Sequence, residues 1–315
     1  MDSKYAIVIC KEVYPLNIIP LAPRGFCKGV YLALKLAKDT AKQNPDEQIT
    51  ILGQLVHNRY VSLALEYHNI KTLHNPSLSK EQLLEQIDGG IVIFTAHGIS
   101  ESIKQKALAK GLRIVDATCS DVSRTHTLIE EKLSMGYHVL YIGKNNHPES
   151  MAIVENFPSV TLMEIKDEIP DLIEPLFVTN QTTLSKREME KTIQNILDKY
   201  PEASISNDLC SATTLRQQAV EQVHADGLIV VGDPSSNNTL MLASIGHVHG
   251  YPWIQRIESV EQLDVSYLKE NMSIAVTAGA STPAYLTNQV IEYLNNYDVN
   301  HPQPLPTVDI TKILE

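Results

Sequence analysis

The chain has 315 residues, 43% of them hydrophobic and 20% charged, with a formal net charge of −11. That composition excludes a disordered chain, and the acidic balance argues against nucleic acid, whose binding needs a basic face. No apolar run approaches the ~18 residues of a transmembrane helix, and the run 6–10 is too short for a signal-peptide core. Neither a nucleic-acid partner nor a membrane is expected, and a cytoplasmic setting would keep the 4 cysteines reduced.

In chain order, 1–15 is expected to be an N-terminal extension, serving as an edge strand or packing arm. Cys10, within its apolar run, reads as a small packed hydrophobe. The remaining cysteines set a period: 92 residues separate Cys27 from Cys119, and 91 separate Cys119 from Cys210. Such an interval calls for a search for internal repeats, and other landmarks recur in phase. A β-branched run precedes each cysteine (16–21, 112–116, 203–206), and a helical pattern follows it (28–42, 123–135, 212–224). Next comes a strand ending in a polar loop: 49–52 into Val56-His57-Asn58, 138–142 into Asn146-His147-Pro148-Glu149, and 227–231 into Ser235-Ser236-Asn237-Asn238. Short strands recur at 70–73, 160–163 and 253–257. A last set, 91–94, 176–178 and 273–276, leads into Thr95-Ala96-His97-Gly98, Asn180-Gln181-Thr182-Thr183 and Ala278-Gly279-Ala280-Ser281.

Each unit therefore predicts four strands alternating with four helices in about 90 residues. That order demands right-handed crossovers and a parallel sheet. The expected fold is α/β: a pseudo-threefold trefoil of three units, each with a mainly parallel four-stranded sheet, around a central metal-cluster site. The expected units are 28–119, 120–210 and 211–300. Residues 16–27 form a strand and loop joining the third unit, and 301–315 is a C-terminal tail opened by His301-Pro302-Gln303-Pro304.

Ligands of open parallel sheets bind outside the carboxyl ends of the strands. Three such edges facing one axis would gather Cys27, Cys119 and Cys210, ringed by His57, His97, His147, Glu149, Thr182, Ser236, Asn238 and Ser281. A lone cysteine is ordinarily a small hydrophobe, and His68, His74, His126, His138, His224, His247 and His249 read as ordinary structural histidines. Packing alone, however, imposes no 91-residue period on thiols. Three thiolates suit a zinc ion completed by His147, or an iron–sulfur cube with one iron left open as Lewis acid and electron relay. The absence of any Cys-x-x-Cys pair favours the cube. Around it stand neutral donors, without a phosphate-binding glycine loop; loop amides and helix starts such as Ser236 bind phosphate without cationic side chains. Glu149 is the one loop carboxylate of the set and the natural general acid.

Pro23-Arg24-Gly25-Phe26-Cys27, Val56-His57-Asn58, Thr95-Ala96-His97-Gly98, Asp116-Ala117-Thr118-Cys119, His147-Pro148-Glu149, Gln181-Thr182-Thr183, Cys210-x-Ala212-Thr213, Ser236-Asn237-Asn238 and Thr277-Ala278-Gly279-Ala280-Ser281 occur in that order. From about residue 16 to 300 the chain thus resembles the 4-hydroxy-3-methylbut-2-enyl diphosphate reductases, the terminal enzymes of the non-mevalonate isoprenoid pathway. The resemblance implies a [4Fe–4S] cluster on Cys27, Cys119 and Cys210, with one open iron. It implies a substrate-binding set of His57, His97, His147, Thr182, Thr183, Ser236, Asn237, Asn238 and Ser281, and a catalytic set of Glu149, Thr182 and His147. Electrons would come from a ferredoxin or flavodoxin, and the products would be isopentenyl and dimethylallyl diphosphates.

Two departures stand out. Thr239-Leu240-Met241-Leu242 replaces the family's Ser-Asn-Arg-Leu, which is expected to loosen the phosphate loop or its helix cap. Ser150-Met151-Ala152 replaces a glycine-containing turn after Glu149, leaving the acid's orientation open. Two other classes fit parts of the pattern: a zinc hydrolase with Cys₃ or Cys/His ligands, and a trefoil that binds phosphometabolites without turnover.

Overall fold

The structure, a computed structural model, describes residues 16–315, so the extension 1–15 and Cys10 lie outside the described residues. The first sheet contains β2 (Ile49–Leu52), β3 (Ile70–Leu73), β4 (Ile91–Phe94) and β5 (Arg113–Asp116); the second contains β6 (His138–Ile142), β7 (Thr161–Met163), β8 (Leu176–Asn180) and β9 (Ser204–Ile205). The third contains β10 (Gly227–Val231), β11 (Ile254–Ile257) and β12 (Ser273–Ala278), with β1 (Asn17–Pro20) from the start of the chain. The orders β3-β2-β4-β5, β7-β6-β8-β9 and β11-β10-β12-β1 are the same order three times, and every pairing is parallel. In each sheet the strand leading into a cysteine is therefore outermost.

Central strands such as Ile-Val-Ile-Phe in β4 and Gly-Leu-Ile-Val-Val in β10 are buried along their whole length, the pattern of strands covered on both faces. The covering helices are α1 (Lys28–Gln43), α2 (Arg59–Tyr67), α3 (Lys80–Glu85), α4 (Glu101–Ala109), α5 (Ser120–Ser134), α6 (Pro148–Asn156), α7 (Lys186–Lys199), α8 (Ser211–Glu221), α9 (Asn237–His249) and α10 (Ala284–Asn295). α5 starts at Ser120, directly after Cys119, three residues before the helical pattern of the sequence begins. The third helix expected in every unit forms only in the first, as α3, where Ser79 and Gln82 make a capping box. In the second unit β7 reaches β8 without a helix, through a stretch holding Pro170 and Pro175, which lack the N–H a helix interior requires. In the third unit two 3₁₀ turns, Val260–Gln262 and Val265–Tyr267, take its place.

One apolar core joins the first and third sheets: Ile49 and Ile51 of β2 share it with Ile229 of β10, Ile274 of β12 and Ile313 of the tail. The second sheet has a cluster on each face, around Leu140 and Val178 on one and Tyr141 and Phe177 on the other. Among the described residues, no helix is long and apolar enough to cross a membrane.

Candidate active site

Cys27, Cys119 and Cys210 are the N-cap residues of α1, α5 and α8. Each backbone N–H donates to a carbonyl in the loop after its sheet's inner strand: Cys119 to Ala96 at 3.0 Å, Cys210 to Thr182 at 3.1 Å and Cys27 to Ala280 at 3.0 Å. Sulfur at a helix start meets unpaired N–H groups and the positive end of the helix dipole, which favour a thiolate. Cys27 Sγ accepts from the Val30 N–H, and Cys210 Sγ from the Thr213 N–H, both at 3.4 Å. The Thr213 hydroxyl lies 3.1 Å from Cys210 Sγ. All three cysteines are free, and burial pushes the thiols of Cys119 and Cys210 up, with Cys27's charge adding to both shifts.

The three sulfurs face one cavity of about 360 Å³, and every residue singled out above as a catalytic, binding or metal-ligating candidate lines it. His57, His97 and His147 form its polar wall, with ring centroids 4.3 Å (57–97), 5.5 Å (57–147) and 5.9 Å (97–147) apart. Neither ring nitrogen of His57 has a partner, whereas His147 Nδ1 accepts the Glu149 N–H at 3.2 Å and caps α6. The start of α9 also lines the cavity, capped by Ser236 through the Thr239 N–H at 3.4 Å, so the altered segment retains its cap. Asn238 bridges inward, accepting the Ala280 N–H at 3.0 Å and donating to Thr213 Oγ1 at 3.3 Å. Asn237 donates to the Thr183 carbonyl at 2.8 Å, leaving its own buried Oδ1 unpartnered. Ser281 Oγ donates to the His57 carbonyl at 2.8 Å, tying the third sheet to the first.

Glu149 is fully fixed despite the altered turn after it. Oε1 accepts the Thr182 N–H at 2.8 Å and Oε2 the Thr182 hydroxyl at 3.0 Å; the Tyr141 phenol donates to Oε1 at 3.4 Å. Burial raises its carboxyl from 4.5 to about 7, against the opposing pull of those hydrogen bonds. The same burial lowers His57 to about 4, His147 to about 3, and His97 well below the ordinary imidazole value. The free cavity is thus lined by neutral imidazoles around an acid that holds its proton near neutrality, the state a general acid needs.

The donor set can also be tested against a metal group. Among the described residues, no three of His, Cys, Asp and Glu are disposed to hold a single ion. A Cβ on Gly29 would lie 2.5 Å from Cys119 Sγ and 3.9 Å from Cys27 Sγ, so a bare backbone separates these sulfurs. Soft thiol ligands brought from three sheets to one cavity are the donor type that an iron–sulfur cluster takes.

Sequence reasoning missed Gly29 and Tyr141. A glycine in the first turn of a helix is costly without a close neighbour, and a tyrosine inside an otherwise aliphatic strand needs a hydroxyl partner. Either signal was available. Thr213 stood within a quoted motif without a role, although its hydroxyl links Cys210 to Asn238.

Three parallel sheets whose strand ends close on one cavity, joining thiols to a poised acid and neutral imidazoles, define a three-lobed α/β enzyme. The chain belongs to the LytB protein family, whose family model matches residues 18–295. It is 42% identical over 310 residues to the 4-hydroxy-3-methylbut-2-enyl diphosphate reductase of Anoxybacillus flavithermus, covering 95% of this chain and 98% of that protein. It is 43% identical over 294 residues to the protein of that name from Bacillus cytotoxicus, covering 91% and 93%. A solved structure of the E-1-hydroxy-2-methyl-but-2-enyl-4-diphosphate reductase from Plasmodium falciparum matches with a TM-score of 0.82 at 29% identity, over 95% of this chain and 97% of that one.

Proposed function

We propose that the chain is an iron–sulfur reductase acting on 4-hydroxy-3-methylbut-2-enyl diphosphate, as its relatives' names say of them. Two electrons and two protons remove the 4-hydroxyl as water: a C–O bond breaks, a C–H bond forms, and isopentenyl and dimethylallyl diphosphates result. The observation that carries this reading is the joining, in one cavity, of three thiols at helix starts with a carboxyl whose proton persists near neutrality.

Cys27, Cys119 and Cys210 would hold a [4Fe–4S] cluster. When bound, it supplies single electrons and, at the iron no thiolate holds, a Lewis acid for the hydroxyl oxygen. His57, His97, Ser236, Asn238 and Ser281 bind the diphosphate, with α9's N-terminal amides behind Ser236. Asn237 and Thr183 brace each other and shape that wall. Glu149, held by Thr182, delivers a proton to the departing oxygen, so that water leaves instead of hydroxide. His147 sets the entry of α6 and thus the position of Glu149. A ferredoxin or flavodoxin supplies the electrons, and the free thiols suit a reducing cytoplasm.

The test is anaerobic purification with iron and sulfide counts, an absorption spectrum, and turnover of the allylic diphosphate with reduced flavodoxin. Four irons with sulfide, and both products, are expected. A colourless protein containing zinc, or a coloured one without turnover, overturns the reading.

A further inference from the structure

The wall of neutral imidazoles leaves a physical question open. A diphosphate brings about three negative charges into a buried cavity, and burying unpaired charge is costly. Among the described residues, the sole Lys or Arg lining the cavity is Lys28, which is exposed at the start of α1. Loop amides and helix starts soften the cost, but among the described residues no cationic side chain lines the cavity beside the histidines.

One stands directly behind them. Lys80 opens α3, and its chain runs back across the first sheet to place Nζ 2.8 Å from the Leu52 carbonyl at the end of β2. The next residue, Gly53, has φ +102°, and a Cβ there would collide with Lys80 Nζ and come within 3.6 Å of Thr95 Cγ2. The ammonium group therefore sits beneath both loops that carry the wall: Gly53 leads to His57, and Thr95 leads to His97. No carboxylate among the described residues lies within ion-pair distance of it. An ammonium has three donors, and one recorded acceptor, Leu52 O, takes one of them.

The charged groups around it are few. Glu155 acts on Lys80 from a distance. Asp233 accepts the Arg59 N–H at 2.9 Å, and the Ser235 N–H and hydroxyl at 2.8 and 2.6 Å. His57, His74 and His97 all feel the field of Lys80, which works with burial to hold them neutral. A cap for one strand carbonyl explains a hydrogen bond there. It does not explain an uncompensated half-buried charge shared by the two histidine loops.

We propose that Lys80 is the cation of the anion-binding wall, a positioning residue that sets affinity for the diphosphate without touching the reacting end of the substrate. This rests on the reading that His57 and His97 receive the diphosphate, and it adds where the balancing charge comes from. The charge of Lys80 adds a minor share to the burial that holds the imidazoles neutral, and the same charge stabilises the anion once it enters.

The test uses the holoprotein and inorganic diphosphate as probe, by titration calorimetry, with steady-state kinetics on the allylic substrate alongside. Lys80→Met is expected to weaken diphosphate binding and raise KM about tenfold, the size of one charge acting through protein at an effective dielectric near 20. kcat, iron and sulfide should stay within about twofold of the parent, because Lys80 does not line the cavity that holds Glu149 and the thiols. Lys80→Gln, which keeps a donor for Leu52 but loses the charge, should behave like Lys80→Met, and Lys80→Arg should recover most of the affinity. If His57→Asn weakens diphosphate binding while Lys80→Met and Lys80→Gln leave it unchanged, Lys80 is only a strand cap and the proposal fails alone. If His57→Asn also changes nothing, the placement of the diphosphate fails, and this proposal with it.

Discussion

The two sides of the cavity use the same threefold scaffold in opposite ways. On the sulfur side the scaffold repeats itself: Cys27, Cys119 and Cys210 each cap the first helix of a unit, and each donates its N–H to the loop after an inner strand. On the other side equivalent positions have diverged. The loops after β2, β6 and β10 carry His57, the His147–Glu149 pair and Ser236–Asn238; those after β4, β8 and β12 carry His97, Thr182 and Ser281. On the proposed reading, a cluster with near-equivalent corners would ask the same of each unit, whereas a substrate with a polar head and a reacting tail would not. That reading accounts for a threefold pattern kept at the cysteines and lost in the loops around them.

The sharpest way to break this comparison is to change the sulfur side one unit at a time. Cys27→Ser, Cys119→Ser and Cys210→Ser are each expected to abolish iron and sulfide retention, and to do so equally, while Cys10→Ser keeps both. Iron and sulfide analysis under anaerobic conditions checks it. One serine variant with parental content would remove that thiol from the set and end the equivalence.

On the divergent side, the effect belongs to one residue. Glu149→Gln should retain the cluster and diphosphate affinity yet lower kcat by about 10²–10⁴-fold, the usual worth of a positioned general acid. The same variant carries a stability signature. Burial raises the folded-state carboxyl from 4.5 to about 7, so the folded chain holds that proton more tightly than the unfolded one. Its contribution is whole below about pH 4.5 and is lost as pH rises through 7, a change of about 3 kcal/mol. Urea unfolding of metal-free protein at pH 5 and pH 8 should show it as a difference between the two proteins: the buried imidazoles of His57, His97 and His147 favour the folded state as pH rises in both, and Glu149→Gln should gain more from pH 5 to pH 8 than the parent, by up to about 3 kcal/mol. Parallel behaviour of the two proteins would mean that Glu149 is ionised in the folded state at both pH values.

How legible this was from sequence follows the same division. The repeated elements were readable because each recurs: the strands 49–52, 70–73, 91–94, 138–142 and 227–231 lie where alternation and β-branching place them. The period in the cysteines gave the three sheets before any topology was known. What failed was the assumption that every unit repeats every helix, because Pro170 and Pro175 forbid in the second unit what Ser79 and Gln82 promote in the first. In the site, residue types and loops were readable, but contacts that depend on distance were not. Nothing in the sequence puts Gly29 against Cys119, which needs two units packed together, or Lys80 under Gly53, which needs α3 folded back over the end of β2.

Gly29 tests whether the sulfur side tolerates bulk. Gly-to-Ala changes within helices ordinarily stabilise by about 0.5–1 kcal/mol. At Gly29 the new methyl would stand 2.5 Å from Cys119 Sγ, closer than real contacts allow, and overpacking of this kind costs about 1–3 kcal/mol. Gly29→Ala is therefore expected to be net destabilising in thermal unfolding and to lower iron retention. A stabilised variant with full iron content would show that the thiols have room to spare.

The smallest expected effect is at Tyr141, which sharpens the picture on the acid side. Burial pushes its phenol well above 10, so it remains a donor to Glu149 throughout the working range. Its bond of 3.4 Å is long, and Glu149 Oε1 keeps the Thr182 N–H when the phenol is removed, so no acceptor is stranded. Tyr141→Phe should cost about 1 kcal/mol of stability and lower kcat less than tenfold. It should also shift the Glu149 limb of the pH–rate profile upward, because a hydrogen bond favouring the carboxylate is lost. That direction separates the two roles open to Tyr141: a residue that only fills the second sheet's core would change stability and leave the profile where it was, whereas a donor to the acid must move it.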